Sequence, residues 1–462
     1  MNAIADAGSF RDPAGRVFVS EGRILRTVMP RSAAAYEGAR DSGLLARLIG
    51  SGLMVGAEEV DPAALAETGA PPSYLLEHPR IPFVSYPYEW SFPLHKKAAL
   101  HHLDVHLEAL EAGFTLSDAS AYNIQFVGTR PVFIDHLSLR RYEEGEIWAG
   151  HRQFCMQFLN PLLCRALLGI QPNAWFRGSL EGIAPEELAP LLKLRHKLSF
   201  TVATHVCAQA ALQRSSVRSG KTAGHLRSGR LPRHALVGML SGLRRYIASL
   251  ALKTDATVWG NYAEDNSYAD AEAAAKRRFV GEMVAATKPG LLLDLGCNSG
   301  DYSLAALEAG AGRVIGFDYD HGALERAFAR FDAAGADVLP LWLDAANPSP
   351  SQGWGQAERQ GLSERARADA LIALAFIHHI AIGRNVPLDM ALDWLLAMAP
   401  TGVIEFPPKS DPMVQRLLSQ RDDIFPDYDE ANFLASLGER ARVIRAEHLS
   451  EGGRLLVWYD RS

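Results

Sequence analysis

The stretch LLLDLGCNSGDYSLAALEAGAGRVIGFDYD, residues 291–320, contains two apolar runs separated by a glycine-containing turn and a helical pattern. The run LLLDLG is apolar enough to be a buried central strand of a parallel sheet. It passes into the turn CNSG, and DYSLAALEAG predicts a helix that begins directly after the turn. In doubly wound sheets a ligand lies at the carboxyl ends of the strands, where glycine lets the backbone approach it closely. We therefore predict a ligand site at this turn.

Strand-like runs alternate with helical patterns from about residue 255 to the C-terminus. The runs are LLLDLG, RVIGFD, VLPLWLD, ALIALAF, GVIEFP and RLLVWYD. Such alternation predicts an α/β fold, a doubly wound and mostly parallel sheet with helices on both faces.

The turn itself carries a recognisable pattern. Asp294, Gly296, Asn298 and Gly300 resemble the acid-x-Gly-x-Gly-x-Gly turn of class I S-adenosylmethionine-dependent methyltransferases. Asn298 stands at the middle glycine position, where asparagine accepts positive φ better than most residues. The resemblance implies a Rossmann-like methyltransferase domain with S-adenosylmethionine (SAM) as its cofactor.

Two further acids follow at the ends of the next strand-like runs. Asp318 ends RVIGFD, 24 residues after Asp294, and an acid there can accept hydrogen bonds from the ribose hydroxyls of the cofactor. Asp344 ends VLPLWLD, where the resemblance implies an acid near the adenine amino group. Trp259 and Tyr262 precede the sheet and are predicted to cover the cofactor, because aromatic faces attract a sulfonium. The alternative is that these two aromatics only pack.

A nicotinamide-dinucleotide site is the main rival interpretation, because that fold also combines a glycine turn with a ribose-binding acid. Dinucleotide binding requires GxGxxG and a helix N-terminus left free for pyrophosphate. Here Asp294 precedes the turn and Asp301 follows it. Negative side chains repel a pyrophosphate and suit a sulfonium cation, so the pattern favours the methyltransferase.

Two histidines follow the fourth strand-like run, at a position that faces the methyl group in the methyltransferase fold. His378 and His379 are candidate general bases for an oxygen or nitrogen nucleophile, since histidine titrates near neutral pH. His378 is favoured because it lies nearer the strand end. The alternative is a histidine that caps the strand or orients the loop.

The segment GVIEFPPKSDPMV after the fifth run predicts a polar loop at the same edge of the sheet. Glu405 and Lys409 are candidate substrate contacts in this loop. The alternative is a rigid turn, PPKSDP, whose charges are only solvated.

A different pattern occupies FTLSDASAYNIQFVGTRPVFIDHLSL, residues 114–139. Asp118, Asn123 and Asp135 resemble the catalytic segment of aminoglycoside-phosphotransferase-like and protein kinases. The resemblance implies that Asp118 is the base and that Asn123 and Asp135 bind magnesium if Mg-ATP is the ligand. Arg26 stands where a kinase has its lysine, with Glu37 as its predicted partner, and no GxGxxG precedes it. These departures favour a kinase-like α+β domain that assists substrate binding or regulation, over an active kinase or an unrelated α+β domain with an Asp-rich turn.

At 462 residues the chain is long enough for two or three domains. We predict a kinase-like domain over 1–205, a basic linker and helix over 206–254, and a methyltransferase domain over 255–462. The linker lacks Asp and Glu, which raises an RNA-methyltransferase alternative, but the net charge of −6 and the glycine and serine content favour a connector without nucleic acid.

The remaining composition indicates a cytoplasmic protein without resident metal. The four cysteines show no CxxC spacing, so no disulfide framework or zinc site is expected. No signal peptide or run of about 18 apolar residues is present, so no membrane partner is expected.

The phrases YPYEWSF, DASAYNIQF, PVFID and PKSDPMV resemble a bacterial family of two-domain proteins that includes nodulation-type proteins. The resemblance implies methyl transfer from SAM to an oxygen or nitrogen of a small-molecule or peptide-like acceptor. The competing class is a non-catalytic scaffold whose two nucleotide-like sites are relics. The acceptor and the oligomeric state are left open.

Overall fold

The computed structural model describes residues 3–65, 71–219, 230–252, 267–419, 421–450 and 453–462. The chain divides into two compact units. Unit 1 comprises Met1–Phe126, Arg130–Thr254 and Gln352–Arg359, and unit 2 comprises Val127–Thr129, Asp255–Ser351 and Gln360–Ser462. Within the described ranges, no helix combines the length and apolarity needed to cross a bilayer.

Unit 1 mixes short strands with helices. Its strands are β1 Ile4–Ala5, β2 Val17–Ser20, β3 Arg23–Val28, β4 Glu58–Val60, β5 Tyr74–His78, β6 Phe114–Leu116, β7 Ile124–Val127, β8 Arg130–Phe133 and β9 Leu139–Arg141. Its α-helices are α1 Pro30–Asp41, α2 Leu44–Gly50, α3 Phe92–Glu111, α4 His151–Phe154, α5 Asn160–Leu168, α6 Asn173–Gly178, α7 Pro185–Leu188, α8 Leu194–Lys197, α9 Phe200–Val202, α10 Gln209–Ser219 and α11 Arg233–Ser249.

The strands β1, β2, β3, β5 and β4 form an antiparallel sheet in that order. Glu21 and Gly22 form the two-residue turn between β2 and β3, with φ values of 51° and 81°. Positive φ at both central residues gives the turn whose twist matches the flanking strands. The 20-residue helix α3 has an apolar face, including Leu94, Ala98 and Leu103, that is fully buried.

Part of the predicted basic linker is helical. The helix α10 extends to Ser219 and α11 begins at Arg233, while residues 220–229 lie outside the described part of the chain. Helix α11 buries Leu236, Leu240 and Leu243, which recur at helical spacing along one face.

Unit 2 contains seven strands and eight α-helices among its described residues. The strands are β10 Leu292–Leu295, β11 Val314–Asp318, β12 Val338–Trp342, β13 Ala370–Ala373, β14 Thr401–Phe406, β15 Arg442–His448 and β16 Leu455–Asp460. The helices are α12 Ser267–Thr287, α13 Asp301–Glu308, α14 His321–Ala334, α15 Leu362–Arg365, α16 Ile377–Arg384, α17 Leu388–Leu396, α18 Pro412–Leu418 and α19 Glu430–Gly438.

These strands form one sheet in the order β12-β11-β10-β13-β14-β16-β15. The first five are parallel, β16 pairs antiparallel with β14, and β15 pairs antiparallel with β16 at the edge of the sheet. The predicted parallel-dominated sheet is therefore confirmed, and all six apolar runs form strands. The strand β10 is buried along its whole length, as expected of a central strand. The strand order reverses between β10 and β13, which is where doubly wound sheets bind ligands.

The strand β15 was not predicted from the sequence. It lies at the edge of the sheet, most of its residues are exposed, and its pairing with β16 shifts register between Val443 and Arg445. An exposed, charged edge strand lacks the apolar run by which the other strands are recognised.

The turn after β10 requires glycine at Gly300 for two reasons. Its φ is +85°, a left-handed conformation that disfavours a Cβ. A Cβ there would also lie 2.0 Å from the ring of Phe331, which is itself fully buried. Gly335, at the end of α14, shares the left-handed conformation with φ of +59°, but a Cβ there would meet nothing within 4 Å.

We expect Gly300→Ala to lower the free energy of unfolding by about 1–3 kcal/mol more than Gly335→Ala, because only the former adds overpacking. Both changes share the backbone cost of about 1–2 kcal/mol. Urea unfolding of the two variants and the unchanged protein measures the difference. Equal losses for the two variants would mean that the Phe331 ring moves aside at negligible cost.

Candidate functional site

The glycine turn winds tightly between the end of β10 and the start of α13. Gly296, Asn298 and Gly300 all have positive φ, at 78°, 48° and 85°. Asn298 thus adopts the conformation for which glycine is otherwise used. The N–H of Gly296 donates to the carbonyl of Phe317, 2.8 Å away, so the turn is bonded to the end of β11.

The carboxylate of Asp318 ties the same two strand ends together. Its Oδ2 accepts from the backbone N–H of Asn298 at 2.8 Å, and its Oδ1 accepts from the N–H of Asp320 at 2.8 Å. Burial raises the pKa of Asp318 above its ordinary value, although both hydrogen bonds favour the ionised form. The acid is therefore fixed in position at the carboxyl edge of the sheet.

Asp294 lies beneath the turn and is only 2% exposed. Its Oδ2 accepts a hydrogen bond from the hydroxyl of Ser303 at 2.5 Å. Burial raises the pKa of Asp294 to about 7, and the nearby charge of Asp318 acts in the same direction. Asp294 therefore supports the turn from below.

Asp301, the first residue of α13, is neutralised by its neighbours. Its carboxylate accepts from Arg330 at 3.1 Å and from the hydroxyl of Ser299 at 2.9 Å. Burial opposes ionisation, but these hydrogen bonds outweigh it and hold the pKa of Asp301 below its ordinary value. Asp301 alone therefore does not repel a pyrophosphate, because Arg330 compensates its charge.

The predicted adenine-side acid, Asp344, follows β12. Its carboxylate lies 3.6 Å from the guanidinium of Arg384, which in turn lies 5.7 Å from the ring centroid of Tyr319. Tyr319 is 59% exposed, and its carbonyl accepts from the indole N–H of Trp342. Tyr319 was not proposed from the sequence as a cofactor-site residue. Its position directly after Asp318 was the signal that could have identified it.

The predicted lid residues Trp259 and Tyr262 lie outside the described residues.

The two histidines occupy different environments because α16 begins at Ile377 and successive residues point in different directions. His378 is fully buried, and neither ring nitrogen has a hydrogen-bond partner within the described ranges. Burial lowers the pKa of His378 to about 2, with the His379 ring and two cationic side chains acting in the same direction. His379 is partly exposed, and burial lowers its pKa below the ordinary value. His378 was favoured as the general base because it lies nearer the strand end. Its burial does not support that choice, since a general base must contact the group from which it takes a proton.

Glu405 does not lie in a polar loop but in β14, with its side chain fully enclosed. Its Oε1 lies 2.8 Å from the ammonium of Lys276 and 3.1 Å from the guanidinium of Arg454. Its Oε2 accepts from the N–H of Ala375 at 2.8 Å, and Ala375 has φ of +49°. Glu405 therefore holds the strained residue that follows β13. The other candidate, Lys409, has a different partner and pairs with Asp423 at 2.7 Å.

The kinase-like residues of unit 1 come together in one cluster. The side-chain nitrogen of Asn123 lies 3.3 Å from both carboxylate oxygens of Asp118 and 3.4 Å from Oδ2 of Asp135. Arg26, on β3, forms an ion pair with Oδ1 of Asp135. Burial, and then the charge of Asp135, raise the pKa of Asp118 to about 7.

The predicted pairing of Arg26 with Glu37 is wrong. Glu37 accepts instead from the hydroxyl of Tyr74 at 2.7 Å, while the Arg26 guanidinium pairs with Asp135. Oδ1 of Asp135 also accepts the N–H of Leu137 at 3.1 Å. A magnesium ion bound through Oδ1 of Asp135 would have to displace the Arg26 guanidinium, so this arrangement does not favour a magnesium site.

Unit 2 is thus a Rossmann-like, doubly wound domain with a positive-φ turn and fixed acids at its ligand edge. The chain is 45% identical over 458 residues to the nodulation protein NoeA of Rhizobium meliloti (strain 1021). The aligned residues make up 99% of this chain and 96% of that protein. The chain therefore belongs to the NoeA family of nodulation proteins. No family model matches it.

Several solved structures resemble the chain in part, and some of them are named as methyltransferases. The magnesium protoporphyrin IX methyltransferase ChlM from Synechocystis PCC 6803 with bound SAM matches with a TM-score of 0.30 and 19% identity over 45% of this chain and 87% of that one. The N-methyltransferase NodS from Bradyrhizobium japonicum WM9 with S-adenosyl-L-homocysteine matches with a TM-score of 0.33 and 12% identity over 44% of this chain and 93% of that one. The bifunctional kinase-methyltransferase WbdD matches with a TM-score of 0.29 and 17% identity over 44% of this chain and 41% of that one. At this level of similarity the activity has to be argued from the chain's own residues.

We expect the buried Asp294 to make stability depend on pH. Its pKa is about 7 in the folded chain against an ordinary 3.8, so its contribution is full below about pH 4 and is lost as pH rises through about 7. Urea unfolding between about pH 5 and about pH 8 should show a larger fall for the unchanged protein than for Asp294→Asn, which cannot ionise. Parallel curves for the two proteins would contradict the raised pKa.

Proposed function

We propose that unit 2 transfers a methyl group from SAM to an oxygen or nitrogen of a small-molecule or peptide-like acceptor. The observation that carries this proposal is the fixed carboxylate of Asp318 beside the positive-φ turn at the switch point of the sheet. Both oxygens of Asp318 are oriented by backbone N–H groups, yet each keeps a free lone pair for a hydroxyl donor. A ribose diol is the ligand group that suits such an acid.

The described side chains at this edge fit SAM. Asp318 would hold the ribose hydroxyls by accepting hydrogen bonds from them, and the turn at Gly296 would let the backbone approach the ligand. Tyr319, which is exposed, would offer an aromatic face to the adenine ring, and the carboxylate of Asp344 would accept from the adenine amino group. When bound, SAM supplies an electrophilic methyl group on a sulfonium. Proximity and alignment of the acceptor with that group contribute most of the rate enhancement.

We assign the proton transfer to His379. The lowered pKa keeps this imidazole neutral at physiological pH, so it is able to accept a proton from an acceptor hydroxyl or amine. Glu405 acts as a positioning residue, because it holds the N–H of Ala375 in the segment that leads to His379. His378 packs beneath this segment. Lys409 remains a proposed acceptor contact, since its ammonium is partly exposed.

For unit 1 we propose a kinase-like domain that assists acceptor binding or regulation without phosphoryl transfer. The supporting observation is the Arg26–Asp135 ion pair, which occupies the carboxylate that an active kinase uses for magnesium. The boundaries 1–205, 206–254 and 255–462 remain our proposed division by function. We do not propose Mg-ATP as a ligand of unit 1.

We expect SAM to bind the full chain and Asp318→Asn to weaken that binding by about 10- to 100-fold, the worth of a charge-assisted hydrogen bond. Asp389→Asn, an exposed acid on α17, is the matched control and should bind like the unchanged protein. Isothermal calorimetry measures the affinities. No heat from the unchanged protein would favour the non-catalytic scaffold over the methyltransferase.

We expect the chain to transfer isotope-labelled methyl from SAM to a compound in a cell extract, detected by mass spectrometry. His379→Asn should lower the rate of that transfer by about 10²- to 10⁴-fold, the usual contribution of a general base, while SAM affinity stays unchanged. The exposed His234→Asn serves as the control. A full rate in His379→Asn would remove this residue from the mechanism and leave alignment alone.

A further inference from the structure

Two helices of unit 1 contain π-helical segments. Cys155–Leu159 interrupts the helix that runs from α4 into α5, and Ala203–Ala208 interrupts the one from α9 into α10. Such segments are rare and occur mostly at functional sites. Pro161 follows the first segment and accounts for a weakened helix there. No proline lies in or directly after the second, so that segment needs another explanation.

The π-helical segments bring three metal-ligating side chains together. His151 Nε2 lies 2.7 Å from His205 Nδ1 and 3.8 Å from Cys155 Sγ, and the three atoms all lie within 4.8 Å of one another. Cys155 and His205 are buried, and His151 is partly so. Within the described ranges this is the only such group of ligating side chains.

The spacing suits a small metal ion. Tetrahedral zinc with ordinary bond lengths separates two nitrogen ligands by about 3.3 Å, and a nitrogen from a sulfur ligand by about 3.6 Å. The Nε2–Sγ distance of 3.8 Å already matches. The two histidines need to move apart by roughly 0.6 Å. The ligand atoms of His205 and Cys155, which lie within 4.8 Å of each other, need to approach to about 3.6 Å.

Gln209 completes the surroundings of the cluster. Its Nε2 donates to His151 Nδ1 at 3.0 Å and lies 3.5 Å from Cys155 Sγ, while its Oε1 is buried and has no partner within the described residues. A metal bound to Nε2 of His151 requires the proton of this imidazole to be on Nδ1. If the Gln209 side-chain amide rotates by half a turn, its Oε1 accepts a hydrogen bond from the Nδ1–H of His151.

We propose that unit 1 binds a zinc ion through His151 Nε2, Cys155 Sγ and His205 Nδ1, with Gln209 orienting His151. Two imidazoles and one thiolate form a borderline-soft donor set with a fourth position left open. Binding forms the Zn–S bond and releases the thiol proton to solvent. This proposal departs from the expectation of no resident metal, which was based on the absence of CxxC, because the proposed ligands come from two separate helices.

The experiment uses the full chain, free of any affinity tag and stripped with a chelator. Zinc content is measured after dialysis, and cobalt(II) serves as a spectroscopic probe that zinc then displaces. We expect a single zinc ion per chain, a thiolate-to-cobalt absorption band, and a higher melting temperature with zinc. Cys155→Ser should lose the band, and Gln209→Ala should weaken zinc binding by about 10- to 100-fold. Cys207→Ser, in the same π-helical segment as His205 but outside the cluster, should bind normally.

The zinc content, the cobalt spectrum and the melting temperature of the unchanged chain test the proposal even if a variant fails to fold. Circular dichroism would show whether a variant is folded. Absence of stoichiometric zinc, or no rise in melting temperature with zinc, would overturn the proposal. A cobalt spectrum without thiolate absorption, or one retained in folded Cys155→Ser, would overturn the assigned ligands. These outcomes are independent of SAM binding by unit 2.

Discussion

The carboxylate of Asp318 is the constraint on which the ligand edge of unit 2 depends. One oxygen holds the turn after β10 at Asn298, and the other holds the start of the next helical segment at Asp320. The two strand ends therefore cannot separate without leaving a partly buried carboxylate short of donors, which is costly. The positive-φ turn and the acid support one another, so the edge is organised before any ligand arrives.

The opposite side of the switch point depends on a second buried acid. Glu405 is enclosed with Lys276 and Arg454, and it reaches across to the N–H of Ala375. A buried carboxylate with two cations is stable only while each partner is present. This network fixes the segment after β13, and with it the direction in which His379 points. The two walls of the cleft are thus held by buried carboxylates with different partners.

Apolar runs carried the prediction of the fold, because buried parallel strands have few polar residues. The acids at the strand ends were found the same way, since each directly follows such a run. The strand β15 was missed because its residues are mostly exposed.

The burial of His378 and the partial exposure of His379 depend on the residue at which α16 begins. A shift of that start by one residue would turn both side chains to other directions, and the sequence does not show where the helix starts. The partner of Arg26 depends on the packing of β3, and the cluster of His151 with His205 depends on two helices meeting. Only the spacing in HRQFC, which puts His151 and Cys155 on one helix face, was a usable signal.

The edge strand β15 also determines how the sheet ends. It exposes Val443 and Ile444, which would suit pairing with a strand of another molecule. The register shift beside Arg445 twists the backbone at that point, and Arg445 is itself held by Glu282 and Glu447. Bulges and charged side chains are the means by which proteins keep open edges from self-association. The register shift and the charges around Arg445 are therefore features that disfavour strand addition at this border of the sheet.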